Sequence, residues 1–485
     1  MKYISTRGDK SALTASQSIV KGIADDGGLY VPEKIPAVTQ SPSELSGFNY
    51  NAHALLVLHY YLTDFTPAEM VHCVDFAYNS KNFSAPCIAP LIHLPEVSFL
   101  ELFHGKTLAF KDIALSLLPH LMQTAIKKTK NPKTQVILTA TSGDTGVSAL
   151  EGFKDIEGMK IIVFYPENGV SVIQKQHMIT QTGNNVHVIG VKGNFDDAQS
   201  EVKRIFLDTK MNSMLDDKGY EFSSANSINT GRLIPQIVYY FYAYDKLVQE
   251  GMAAETPVNF VVPTGNFGNI LAGYYAKKMG LPINKLICAS NKNKVLYDYF
   301  DTGIFDSNRT FHVTSSPSMD ILVPSNFERL VYDIVKPENG LLEKLQNLSG
   351  KQKFEMEAPH DFIGYCASEN ETRATIRNVF AKHKYLMDPH TAVAYSAYNK
   401  YRVHNPNEKT VIVSTASPFK FAKTVMSSLD AKFDAYDDFA LLDFMSDITH
   451  IKVPPQFADL KDKEIIHNTS INVNEMANAV LQVVS

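Results

Sequence analysis

Hydrophobic positions in the first eighty residues fall at helical spacing. The segments 52–61 and 67–78 carry apolar residues at intervals of three and four, which predicts two helices. Ahead of them lie a short strand-like piece, a helix-like segment and the stretch Asp25-Asp26-Gly27-Gly28-Leu29-Tyr30-Val31-Pro32. Paired glycines and a proline mark that stretch as a tight loop. Residues 1–95 therefore read as an amino-terminal, mainly helical extension. From about residue 100 the pattern changes. Apolar runs of strand length at 135–141, 160–165, 186–191, 258–264, 285–290 and 410–415 alternate with helical stripes. The stripes predict helices over 111–128 (kinked at Pro119), 147–153, 170–180, 195–209, 232–247, 269–278, 371–383 and 390–401. Such alternation implies parallel sheets with helices on both faces, an α/β architecture. The pattern is less regular over 291–365, where Ser315-Ser316-Pro317-Ser318-Met319-Asp320 reads as a surface loop, and it is weak beyond about 425.

Length and composition narrow the class. A chain of 485 residues exceeds one ordinary domain, and 45% hydrophobic with 20% charged residues can build real cores. The net charge of −5, from 46 basic and 51 acidic residues, gives no electrostatic footprint for nucleic acid or an anionic membrane. Cys73, Cys87, Cys288 and Cys366 are scattered, with no metal-ligand spacing. Two disulfides are conceivable, but so few cysteines in so long a chain point to reduced thiols in a cytoplasmic compartment. No apolar run approaches the roughly 20 residues of a membrane span, and no signal-peptide pattern opens the chain. A soluble, cytoplasmic protein without a metal site is expected.

Within this frame one lysine stands out. Lys111 lies between Phe110 and Ile113 in a mostly apolar run. Desolvation disfavours an ammonium, and a neutral amine is what Schiff-base chemistry with a carbonyl cofactor requires. The alternative is a packed stem with its head in water. Three strand-to-helix turns then occupy the places where open α/β sheets bind ligands. Thr141-Ser142-Gly143-Asp144-Thr145-Gly146 offers hydroxyls and N–H groups for a carboxylate, or ordinary helix capping. Gly265-Asn266-Phe267-Gly268-Asn269 offers a nest of N–H groups for a phosphate, without being a dinucleotide fingerprint or a P-loop. Ser414-Thr415-Ala416-Ser417-Pro418-Phe419-Lys420 could present a hydroxyl to a ring nitrogen, with Lys420 open to being a solvated charge. A fourth segment, Ser224-Ala225-Asn226-Ser227-Ile228-Asn229-Thr230-Gly231-Arg232, places amides, hydroxyls and a guanidinium before a helix, for an anion or an ordinary salt bridge. His104, Asp388 and His390 read as structural, because spacing fixes no partner for them.

Taken together and in order, these segments resemble threonine synthase, in the longer branch of that family found in fungi and many Gram-negative bacteria. Phe103-His104-Gly105-Lys106-Thr107-Leu108-Ala109-Phe110-Lys111-Asp112, Asn194-Phe195-Asp196-Asp197 and the opening Tyr3-Ile4-Ser5-Thr6-Arg7-Gly8 belong to the same resemblance, as does the loop 26–32. The resemblance implies two doubly wound parallel-sheet domains of the fold-type II, tryptophan-synthase-β-like class of pyridoxal 5′-phosphate enzymes. A smaller domain is expected over 100–225 and a larger one over 226–485, with the cofactor in the cleft between them. It further implies conversion of O-phospho-L-homoserine to L-threonine and phosphate.

By matched position, Lys111 would hold the cofactor and move protons. Gly265, Asn266, Phe267, Gly268 and Asn269 would cradle its phosphate, and Thr415 would face its ring nitrogen. Thr141, Ser142, Asp144 and Thr145 would receive the substrate carboxylate and the cofactor's 3′ oxygen. Ser227, Asn229 and Arg232 would hold the substrate phosphate. Asp144 departs from the asparagine of many relatives of the fold, and an acceptor-only carboxylate beside a phenolate needs a shared proton. The competing readings are a phospholyase that releases an α-keto acid, a dehydratase acting on free serine or threonine, and a catalytically dead binding protein. No residue pattern distinguishes a monomer from a homodimer.

Overall fold

The computed structural model describes residues 1–9, 11–335, 340–350 and 352–484. Two sheets organise it. The larger has six strands in the order Phe362–Cys366, Ile283–Ser290, Val258–Pro263, Thr410–Ser414, Ser98–Glu101 and Leu91–His93. All neighbours in it are parallel except the last pair, a hairpin-like antiparallel edge. The smaller sheet is parallel throughout, in the order Ser470–Asn472, Val186–Lys192, Met159–Pro166, Thr134–Ala140 and Tyr220–Ser224. Central strands such as Val258–Pro263 and Thr410–Ser414 are buried along their whole length. That burial explains why they read as continuous apolar runs rather than alternating ones.

Neither sheet is drawn from one continuous stretch. Strands at 91–93 and 98–101 join the larger sheet, and Ser470–Asn472 crosses back to pair with the edge of the smaller one, Ser470 opposite Gly190. The expected helix over 111–128 is two helices, Lys111–Leu115 and Leu118–Thr129. Pro119 sits in the first turn of the second, where its missing N–H leaves no bond unmade, so the chain breaks before the proline rather than kinking at it.

The amino-terminal segment pairs Tyr3–Ser5 with Tyr30–Pro32 and lays helix Tyr50–Tyr61 against the long helix Thr230–Gln249. A buried His53 Nε2–Asp245 Oδ2 contact of 3.0 Å pins that interface. Residues 315–320, expected at the surface, are drawn inward. Ser316, Met319 and Asp320 are buried, and Asp320 accepts from the Thr314 amide and hydroxyl and from Asn291 and Asn293. Polar residues that satisfy one another this way can be buried at little cost. No described helix is long and apolar enough to cross a membrane.

Candidate active site

Lys111 begins a five-residue helix at the end of a loop that is strapped along the segment following strand Thr410–Ser414. Leu102 N–H donates to the Ser414 carbonyl at 3.0 Å, Phe110 N–H to Thr415 O at 2.8 Å, and Ser417 N–H to Leu108 O at 3.0 Å. These bonds place Thr415 and Lys111 on the wall of one cavity. Its other walls come from the carboxyl ends of strands in both sheets, as open α/β sheets require. Lys111 is only 8% exposed. Burial, the nearby Arg232 and Lys420 push its amine below the ordinary lysine range, although Asp144 pulls the other way.

Strand Thr134–Ala140 delivers the second turn. Gly143 has φ of 125°, and a Cβ there would meet the Gln174 amide at 2.5 Å, so only glycine fits. The Thr141 hydroxyl accepts from Gly143 N–H at 2.9 Å and Gly146 N–H at 2.7 Å, which fixes the turn. Asp144 then opens helix Asp144–Phe153 with its carboxylate shared three ways. Oδ1 meets Lys420 Nζ at 2.8 Å and Gln174 Nε2 at 2.7 Å, while Oδ2 lies 3.4 Å from Lys111 Nζ. Burial opposes ionisation of Asp144, but Lys420 and Lys111 outweigh it and hold the carboxyl well below its usual range.

The third turn follows strand Val258–Pro263. Phe267 is left-handed, with φ of 68°, and its ring is buried edge-on to Phe327 at 5.4 Å. None of the N–H groups of residues 265–269 donates to another described residue. The carbonyl of Asn266 is held from outside by the Asn326 N–H at 3.1 Å and its Nδ2 at 3.2 Å. The Asn269 Oδ1 accepts from the Tyr239 and Tyr240 hydroxyls at 2.7 and 2.8 Å, and its buried Nδ2 has no partner among the described residues. Five unused backbone donors beside a helix start form an anion nest.

The fourth segment supplies a guanidinium. Asn226 pairs reciprocally with Ala140, accepting its N–H at 3.1 Å and donating to its carbonyl at 2.8 Å, so the ends of two neighbouring strands are locked together. Arg232, in the first turn of helix Thr230–Gln249, is 2% exposed. Nη1 donates to Ala225 O at 2.8 Å, and Nε has no partner among the described residues. Burial lowers it to about 10, so it stays protonated at neutral pH.

The structure thus brings Lys111, Ser142, Asp144, Thr145, Ser227, Arg232, residues 265–269 and Thr415 to one cavity. Thr141 and Asn229 are not among its walls. Asn229 caps the helix, accepting from Gly231 N–H at 2.8 Å, and spends its Nδ2 on Ile19 O and Ser224 O at 2.9 and 3.0 Å. Sequence reasoning missed Gln174, Ser318, Met319 and Lys420, and took His390 as structural. His390 lines the cavity, with Nδ1 2.6 Å from Asp388 Oδ2 and Nε2 accepting the Ser318 N–H at 3.2 Å. Lys420 is fully buried, which its place between Phe419 and Phe421 does not by itself reveal.

The cavity's donor set fits a phosphorylated carbonyl cofactor. Free amides at 265–269 and the orphaned Asn269 Nδ2 suit its anionic end, and the low-lying amine of Lys111 suits its aldehyde. A Cβ on Gly265 would meet the Ser318 carbonyl at 2.1 Å, so the turn is packed too closely for any side chain there. Among the described residues no cluster could hold a metal ion.

Family models match almost end to end: "Threonine synthase N terminus" over residues 2–78, "Pyridoxal-phosphate dependent enzyme" over 87–416, and "Threonine synthase, C-terminal" over 391–484. The chain is 40% identical over 442 residues to threonine synthase-like 1 of Homo sapiens, covering 87% of this chain and 59% of that one. It therefore spans a little over half the length of that relative. It is 39% identical to the threonine synthase of Pseudomonas aeruginosa, covering 88% of this chain and 90% of that one. The crystal structure of PLP-bound threonine synthase from Brucella melitensis superposes with a TM-score of 0.85 at 34% identity, over 100% of this chain and 99% of that one.

Proposed function

The chain belongs to the threonine synthase family, and on that premise we propose that it converts O-phospho-L-homoserine and water to L-threonine and phosphate with pyridoxal 5′-phosphate. The observation that carries this reading is Arg232. A buried guanidinium with no carboxylate partner and an unpartnered Nε among the described residues stands in the same cavity as Lys111 and the anion nest. A buried charge is tolerated when an anion completes it. The nest supplies donors for one phosphate and Arg232 for a second, so the substrate is itself phosphorylated. A dehydratase acting on free serine or threonine would leave Arg232 without use.

Pyridoxal phosphate supplies an electron sink that lets a proton leave the carbon beside the substrate amine. Lys111 would hold the cofactor, and as a neutral amine it takes that proton and returns it. The amides of residues 265–269 would hold the cofactor phosphate, and the Thr415 hydroxyl, which makes no hydrogen bond among the described residues, would serve its ring nitrogen. Ser142 and Thr145, at the start of a helix, would receive the substrate carboxylate, and Asp144 the region of the 3′ oxygen. Arg232 and Ser227 would orient the substrate phosphate and stabilise it as it leaves. Reducing surroundings such as the cytoplasm suit the four free cysteines.

The test is a visible spectrum of the purified chain with pyridoxal phosphate, followed by addition of O-phospho-L-homoserine and product analysis. We expect a bound-cofactor band that shifts on addition, with threonine and phosphate formed in equal amounts. Phosphate with 2-oxobutyrate and no threonine would make the protein a phospholyase. No band in the wild type, or a band undiminished in Lys111→Ala, would remove the central claim.

A further inference from the structure

Asp144 stands between two lysines, and the chemistry above uses only one. Lys420 comes from the turn Pro418–Phe421, a few residues after Thr415, and its side chain has no exposure to solvent. We propose that Lys420 is a positioning residue that takes up the charge of Asp144 and so leaves Lys111 free to work as a neutral amine. The proposal rests on the reading of Lys111 as the cofactor-holding lysine.

The geometry is unequal in a telling way. Lys420 Nζ meets Asp144 Oδ1 at 2.8 Å and donates to the Thr107 carbonyl at 2.6 Å. The same Oδ1 accepts from Gln174 Nε2 at 2.7 Å, whereas Lys111 reaches only the other oxygen, and only at 3.4 Å. One buried carboxylate thus serves two amines and is committed to Lys420. A buried ammonium persists where it is paired and hydrogen-bonded, and Lys420 is both. Two ammoniums around one carboxylate would leave a net positive charge in a low-dielectric cavity that already contains Arg232, so the proton is lost from the more weakly held of the two, Lys111.

Other ionisable groups face this cluster from the packed elements. Arg232 acts directly on Lys111 and His390 on Asp144, while His177, pushed down to about 3 by burial and then by Lys420, adds no charge. Asp112 turns its carboxylate to the Thr107 N–H at 2.8 Å and hydroxyl at 2.5 Å. Thr107 therefore ties Lys420 to the loop that delivers Lys111. The depressed amine of Lys111, caused first by burial and then opposed by Asp144 and reinforced by Arg232 and Lys420, agrees with this arrangement.

The experiment is competitive acetylation of Lys111 in the full chain stripped of cofactor, followed by peptide mass spectrometry across pH. The midpoint of labelling reports the amine itself and needs neither cofactor nor substrate, so its failure and the failure of the proposed function are separate events. Lys420→Gln keeps hydrogen bonding but removes the charge. Its midpoint should rise by about one pH unit or more, roughly a tenfold loss of reactive amine at any pH below it. Lys420→Arg should keep the parent midpoint. Asp144→Asn should lower it, because the charge of Lys420 is then uncompensated. A merely structural role for Lys420 would not move the two neutralising variants in opposite directions. An unchanged or lowered midpoint in Lys420→Gln overturns the proposal. Where that variant does not fold, an unchanged or raised midpoint in Asp144→Asn does the same.

Discussion

The turn at 265–269 and the turn at 141–146 occupy equivalent places, each between a parallel strand and a helix, each in a different sheet. Yet they are built from opposite materials. The first has no ionisable side chain and no side-chain cap; its resources are five N–H groups and a left-handed Phe267. The second carries a carboxylate wedged between two lysines and a glutamine, and uses Thr141 to bind its own amides. A nest of backbone dipoles attracts an anion with a strength that does not change with pH. A carboxylate among amines sets which proton resides where. On the reading proposed above, holding the cofactor and tuning its chemistry would fall to different sheets, and the two tasks should fail separately.

Gly265→Val should break the first turn with the largest effect. The new Cβ would fall 2.1 Å from the Ser318 carbonyl, so backbone must move, at a cost of about 3 kcal/mol or more. A cofactor titration followed by fluorescence should show affinity weakened at least about 100-fold, with the pH midpoint of Lys111 labelling unmoved. A shifted midpoint would show that the two turns are not independent. Arg232→Gln comes next. Loss of charge-assisted hydrogen bonds worth about 1.5–3 kcal/mol should raise KM for O-phospho-L-homoserine roughly tenfold to a hundredfold and leave cofactor affinity alone. Steady-state kinetics beside the same titration tests both halves.

How much of this contrast could be read from the chain depends on the range of the interactions. The nest and Lys111 were legible because a short motif specifies them: glycines where backbone is crowded, a lysine among apolar neighbours. Lys420 was not, since a lysine after a proline turn looks the same whether it meets water or a carboxylate 276 positions earlier, and only tertiary packing decides. Residues 315–320 misled for a related reason. Serines and an aspartate read as surface, but here Asn291, Asn293 and Thr314 bond the two most deeply placed of them, Ser316 and Asp320. The strand Ser470–Asn472 is three residues long with one apolar residue, Ile471, too short for alternation to be read, so its return to the smaller sheet left no local trace.

The second turn has its own signature in stability. Asp144 has a folded-state pKa depressed below the ordinary 3.8, so the native protein binds fewer protons than the unfolded chain as pH falls below about 4. Its contribution is therefore present in full above that range and is lost progressively in acid. Asp144→Asn should melt at a temperature that falls less steeply between pH 5 and pH 3 than the parent does. Equal slopes by calorimetry would mean that the carboxylate is not held ionised by its lysines.

The smallest effect sharpens the boundary of the site. Asn229 sits three positions from Arg232, in the segment whose family resemblance assigns it to phosphate binding, but its amide is consumed by Ile19 O, Ser224 O and the Gly231 N–H. Asn229→Ala removes a helix cap and orphans two buried carbonyls, so stability should fall by about 1–2 kcal/mol. Because the lost groups face the amino-terminal helix and not the cavity, KM for the phosphorylated substrate should change less than about threefold, against the tenfold or more expected when a ligand-binding hydrogen bond to a charged group is removed. Urea denaturation and kinetics on the same preparation separate the two. A tenfold rise in KM with unchanged stability would move Asn229 into the site and show that its side chain turns from helix cap to ligand when substrate binds.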